Sequence, residues 1–181
     1  ISAYLSQSRK QGLVTEGEIV DGRGIASPDT TRFPEPSDWA QKLPLREAEL
    51  WRTAQADRFQ RPDAKAAATA LTALAQSGNS APARANAALG LLVASESGGN
   101  PATLIHQAVH IEQQYPGEVT ESGTQVADAA LLVALRHVKG APSADLARAI
   151  ENQITQHPSF LSEDLLASAP LRAKWQAQEN Q

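Results

Sequence analysis

The chain has 181 residues, a formal charge of −4 and an apolar share of 41%, with aromatics at only 4%. That length carries one well-buried domain, with or without a semi-independent arm, and the lack of a basic stripe, a Lys/Arg run or an aromatic platform argues against a nucleic-acid partner. No apolar run approaches the ~18–20 residues that span a bilayer, no signal-peptide pattern is present, and zero cysteines exclude disulfides, thiolate zinc sites and cysteine nucleophiles. The chain starts at Ile1 and contains no methionine, so we expect a piece of a longer protein.

Ile1 to Gln11 reads either as the end of a helix, with Ile1, Leu5 and Ser8 sharing a face with Tyr4 and Gly12 as its stop, or as a frayed terminus. From Gly12 to Pro44 regular structure is sparse. Asp21-Gly22-Arg23-Gly24 is a turn signal between Glu18-Ile19-Val20 and Ile25, which allows a small hairpin (Val14 to Val20, then Gly24 to Ser27). Pro28, Pro34, Pro36 and Pro44 then fix φ and remove donors, so the segment is an extended strap, and Trp39 is its expected anchor onto the helical body.

Helical periodicity begins at Leu45. Over 45–60, Leu50, Trp51 and Ala54 form the apolar face, while Arg46, Glu47, Glu49, Arg52, Asp57 and Arg58 are expected mainly on the solvent side. Arg61-Pro62-Asp63 ends this helix and starts the next. There Ala64, Ala67, Ala68, Leu71, Leu74 and Ala75 make one stripe up to the break at Ser77-Gly78-Asn79. Ala85, Ala88, Leu89 and Leu92 form a second stripe, and Leu104, Ala108, Ile111 and Tyr115 a third, separated by Ser97-Gly98-Gly99-Asn100-Pro101.

Pro116 to Gly123 is a loop. Thr124 to Lys139 returns to helix, with Val126, Ala129, Ala130, Val133, Ala134 and Val138 inward. Ser143 caps the next helix, whose face is Leu146, Ala149, Ile150 and Ile154. Phe160, Leu161, Leu165, Leu166 and Leu171 add core, Ser162 caps a short helix with Glu163 and Asp164 in its first turn, and Trp175 is the last apolar anchor.

So much alanine lets helix axes approach closely, as stacked helical hairpins require. The expected pairs are 45–60 with 63–77 and 81–97 with 101–115. A period of about 36 residues aligns Ala54 with Gly90 and Ala66 with Ala102, resembling the small-residue pattern of tetratricopeptide repeats. The expected fold is therefore all-α, stacked tetratricopeptide-like hairpins with an extended Pro/Gly-rich N-terminal strap that leaves room for a minor β-hairpin. It divides into 1–44, a helix end and strap, and 45–181, one compact helical-repeat domain.

Chemistry-bearing residues are few. His106 and His110 have the i, i+4 spacing of metal sites, but Gln107 stands where a zinc protease carries Glu, no third ligand lies at useful spacing, and His137 and His157 are distant. We expect no metal and no cofactor. The serines match caps and turns rather than nucleophile motifs. Gly98-Gly99-Asn100-Pro101 is an inter-helix turn rather than a phosphate loop, and the acidic pairs Glu47/Glu49 and Glu163/Asp164 are a solvated face and a helix start. No catalytic, ligand-binding or metal residue is assigned.

GLVTEG, DGRGIAS, LREAELWRTAQADRFQ, RPDAKAAATALTALAQSG, APARANAALGLLVAS, IEQQYPGEVTESG and HPSFLSEDLL run in order through most of the chain. Together they resemble the extracytoplasmic, periplasmic sensor domain of bacterial membrane-bound sensor histidine kinases of two-component systems. The resemblance implies a domain lying between two membrane-spanning helices of an inner-membrane protein. It would sense an unidentified small molecule, peptide or protein, pass a conformational change to those helices, and act as a homodimer. No phosphoacceptor box and no ATP-binding glycine boxes are present, so no activity is expected of this chain alone. The rival reading is a tetratricopeptide-like adaptor that binds a peptide or protein in its groove without transmembrane signalling. A helical lytic or hydrolytic enzyme is a third, lacking a catalytic carboxylate in a cleft.

Overall fold

The computed structural model describes residues 19–21, 24–26, 34–59, 64–139, 142–157, 159, 161 and 165. The chain divides into two units, Ile1–Phe33 and Pro34–Gln181. In the first, β1 (Ile19–Asp21) pairs antiparallel with β2 (Gly24–Ala26), in the register Val20 opposite Ile25 and Asp21 opposite Gly24. Asp21 and Gly24, the outer residues of the turn signal, thus end the first strand and begin the second, while Gly22 and Arg23 lie outside the described residues. The expected helix end at Ile1–Gln11 and the anchors Phe160, Leu166, Leu171 and Trp175 lie outside the described residues, as does the Ser162 cap.

The second unit is all-α, a stack of helical hairpins: α1 (Leu45–Phe59), α2 (Ala64–Ser77), α3 (Ala81–Ser95), α4 (Pro101–Gln114), α5 (Val126–Arg136) and α6 (Ala144–Gln156). Each helix start carries the chemistry its sequence supplies. Ser80 Oγ accepts from Ala83 N, Asn100 Oδ1 from Ala102 N and Ser143 Oγ from Leu146 N, so amides left without intrahelical carbonyls find acceptors. α1 packs along α2, α2 along α3 and α4 along α5, while α3 also touches α5 and α4 touches α6. Contacts between helices two apart are the mark of stacked hairpins. Among the described residues no helix is long and apolar enough to cross a membrane.

Two apolar clusters hold the stack. The first gathers Trp39, Ala54, Ala70, Leu71, Leu74, Ala83 and Ala87. The second includes Ala85, Leu92, Leu104, Ala108, Ile111, Val126, Leu131, Leu146, Ile150 and Leu165. α3 belongs to both. Its expected stripe (Ala85, Ala88, Leu89, Leu92) faces the second cluster, and a further face, Ala83 and Ala87, four apart, faces the first. Alanine and glycine make this double burial possible: a Cβ added at Gly90 would stand 3.0 Å from Leu71 Cδ1. The repeat alignment holds at Ala54 and Gly90, both buried, whereas Ala66 is half-buried and Ala102 is exposed at the start of α4.

Trp39 anchors as expected. It lies in a 3-10 turn (Trp39–Lys42), is 7% exposed, and meets Trp51 with ring centroids 5.1 Å apart at 59°. One expectation for α1 is overturned: Glu47 is not on the solvent side but 6% exposed. It sits where the chain turns from α2 into α3, and its carboxylate accepts from Asn79 N at 2.8 Å and Ser80 N at 3.4 Å. Those amides precede a helix and have no backbone acceptor of their own, so the carboxylate is drawn inward.

Candidate functional site

The segment between α4 and α5 is the structural crossroads. Tyr115 closes α4, Gly117 and Gly123 adopt φ of +83° and +82°, and Val119 bridges Gln125 antiparallel. Thr120 N donates to Thr124 O, Gly123 N to Thr120 O and Val126 N to Glu118 O, which makes this loop a tight knot rather than a slack connection. A Cβ at Gly123 would collide with Glu35 O, so glycine is required there twice over, by φ and by space.

Four regions fasten to this knot. From α1, Trp51 Nε1 donates to Glu121 Oε1 at 2.7 Å, and from the strap Ser37 N donates to Glu121 O at 2.9 Å. From α3, the buried Asn86 Nδ2 donates to Val119 O at 2.9 Å. From the far side, Gln125 Nε2 donates to His157 O at 3.2 Å, just past α6. The loop is thereby tied to both apolar clusters.

Beside it lies a buried polar joint between α4, α5 and α6. Asp128 is fully buried, Gln153 is 1% exposed and Glu112 is 7% exposed. Ser159 Oγ donates to Asp128 Oδ2, Gln153 Nε2 donates to Gln125 Oε1, and Leu161 N donates to Ser159 Oγ at 3.0 Å. Among the described residues, Glu112 Oε2, Asp128 Oδ1 and Gln153 Oε1 are buried with no donor. Burial pushes the Asp128 carboxyl above its ordinary range, opposed by the Ser159 hydroxyl bonded to it, the neighbouring Gln153 amide and His157. Glu112 is raised by the same cause, again opposed by His157.

Sequence reading assigned none of these residues. The signal was nonetheless present. Glu112 lies four residues beyond Ala108 and Gln153 three beyond Ile150, each on its helix's apolar stripe, and Asp128 interrupts an otherwise apolar run, Val126 to Leu135.

The histidines do not converge. His106 and His110 are exposed on α4, and His137 Nε2 is 3.3 Å from Glu96 Oε1, an oxygen that Arg136 Nη1 also approaches at 3.4 Å. His157 is half-buried next to Gly117. Among the described residues, no group of three or more His, Cys, Asp or Glu is arranged to hold a metal ion. The Gly98–Pro101 turn spends its N-terminal amide on Asn100 itself. On the other flank, an open apolar groove of about 440 Å³ runs along α1 and α2, lined by Leu50, Thr53, Thr69, Ala70 and Ala73 among others.

Compared with models of known protein families, with curated proteins and with solved structures, the chain matches none of them.

Proposed function

We propose that this chain is the extracytoplasmic sensing domain of a membrane-bound histidine kinase. It would pass a ligand-induced rearrangement of stacked helices to transmembrane helices on either side. The observation that carries this reading is the knotted loop between α4 and α5, tied to α1, the strap, α3 and the residues after α6 by side-chain and backbone hydrogen bonds. A relay needs such a coupling, because a ligand biases an equilibrium only by binding two arrangements differently, and the arrangements must differ at a distance from the ligand. The order of sequence landmarks from GLVTEG to HPSFLSEDLL supports the same reading. The gene sequence on either side tests it: apolar spans of ~20 residues before Ile1 and after Gln181 are the expected result, and polar flanks on both sides remove the sensor reading.

The groove along α1 and α2 favours a second reading, an adaptor that binds an apolar peptide there. Calorimetry against peptides and small metabolites separates the two. Peptide binding that Thr69→Arg abolishes, in a chain with polar flanks, establishes the adaptor.

A further inference from the structure

The face of α4 that meets water carries no formal charge. Its sequence, PATLIHQAVHIEQQ, holds no lysine or arginine, and its one acid, Glu112, is buried. What the helix turns outward instead includes Thr103, His106, Gln107, His110 and Gln113. Within that set His106 and His110 are four residues apart, about 6 Å along the helix axis and about 40° around it. Side chains so spaced are neighbours on a helix surface, with Cβ atoms about 5–6 Å apart. Two imidazoles at that separation reach one metal ion, each through a metal–nitrogen bond of about 2.0–2.1 Å.

These two histidines differ from the others in having nothing else to hold. His137 Nε2 lies 3.3 Å from Glu96 Oε1, and His157 is half-buried next to Gly117. Among the described residues, neither His106 nor His110 makes a hydrogen bond or an ion pair. No cationic side chain of α4 repels a metal ion from them, and no exposed carboxylate of α4 competes for their ring nitrogens. A neutral imidazole is the commonest protein ligand for a metal, so the pair offers two lone pairs on one side of one rigid element.

We propose that His106 and His110 form a bidentate surface site on α4 for a divalent transition metal of the zinc, nickel and copper class. Imidazole suits those ions, whereas calcium and magnesium take oxygen ligands. Among the described residues no third His, Cys, Asp or Glu joins the pair. That excludes a closed structural site with four protein ligands, and a catalytic one with three. It leaves an open site, in which the chain fills two coordination positions and water fills the rest. An ion held there ties two successive turns of α4, the helix that brings Leu104, Ala108 and Ile111 into the second cluster. Because the pair is assembled only when the helix is formed, the ion stabilises the folded chain by mass action. The site goes beyond the relay and adaptor readings and rests on neither.

Titration calorimetry of the whole chain with nickel chloride, in a buffer that does not bind metal, tests it. The native chain should bind the ion at this site, and its unfolding temperature should rise with nickel concentration. His106→Gln and His110→Gln should each weaken binding about tenfold or more, since each removes one arm of a chelate whose second bond forms intramolecularly. Both positions are exposed, so both variants should keep the native circular dichroism. His110→Gln combined with Gln107→His keeps the number of histidines but sets two of them at adjacent positions, which do not face each other on a helix. It should bind as weakly as His110→Gln alone. His110→Gln combined with Ala102→His moves the pair one turn toward the start of α4, at another exposed position, and should restore binding. Unchanged nickel affinity in either single variant overturns the site, as does native affinity with the adjacent histidines. An equal loss of binding in His137→Gln or His157→Gln also overturns it, by placing the ion elsewhere.

Discussion

The two cores of the helical stack bury carboxylates on opposite terms. In the first, Glu47 turns inward to meet two backbone amides, Asn79 N and Ser80 N, so the buried acceptor answers buried donors. In the second, Glu112 and Asp128 turn inward among other acceptors and each keeps an oxygen unpaired. The first core is consequently held by shape, its walls being alanine, leucine and one tryptophan. The second is held by shape around a buried polar joint, where burial pushes the Glu112 and Asp128 carboxyls upward. The same kind of side chain meets backbone donors in one place and keeps an oxygen unpaired in the other, depending on what lies opposite.

The largest effect should come from emptying the first core. Trp39→Ala removes its biggest side chain, at 7% exposure, and is expected to cost about 3–5 kcal/mol in denaturant unfolding. Its Nε1 has no acceptor, so Trp39→Phe, which keeps most of the ring packing and deletes the orphaned donor, should cost much less. The loss in Trp39→Ala should be equal at acid and neutral pH. A loss that varied with pH would dissolve the distinction between the cores.

Next comes Glu47. Glu47→Ala strands the two amides at the start of α3 and is expected to cost about 1–3 kcal/mol, with Glu47→Gln intermediate because one oxygen still accepts. Equal unfolding midpoints for Glu47→Ala and the native chain would mean that solvent replaces the carboxylate. The contrast with Asp128 would then lose one of its sides.

Glu47 also marks what the sequence reveals and what it hides. The stripe Leu104, Ala108, Ile111, Tyr115 and the caps Ser80, Asn100 and Ser143 were legible, because periodicity and capping are decided within a few residues of chain. Glu47, Glu112, Asp128 and Gln153 were not assigned to the interior, because whether a polar side chain is buried depends on partners up to 33 residues away, as for Glu47 and Ser80. The second buried face of α3 was hidden for another reason. In APARANAALGLLVAS nearly every position is small or apolar, so amphipathic contrast, the usual clue to a buried face, is nearly absent. A helix buried on two sides reads as a helix with a weak preference for either.

Gly90 sharpens that point. Alanine there gains about 0.5–1 kcal/mol of helix preference, but its Cβ would stand 3.0 and 3.2 Å from the Leu71 methyls, in a wall that includes Ala54 and Leu74. Overpacking of this kind costs about 1–3 kcal/mol, so Gly90→Ala should be net destabilising by about 1 kcal/mol. Combining it with Leu71→Ala should recover part of the loss, since the pair is in contact and will not add. Strict additivity would show that α2 and α3 are less tightly apposed than the first core requires.

The smallest effects belong to surface ion pairs, and even these distinguish a free site from a tethered one. Arg148 and Asp145 are 70% and 77% exposed at the start of α6, where water and salt screen the pair, so Arg148→Ala should change stability by no more than about 0.5 kcal/mol. Glu96 is a different case. It is 25% exposed and faces both Arg136 and His137 across the α3–α5 contact. Arg136→Ala should therefore cost more than Arg148→Ala, and the difference should shrink in high salt. If both substitutions were equally silent at low salt, α3 and α5 would be joined by their alanine and leucine contacts alone.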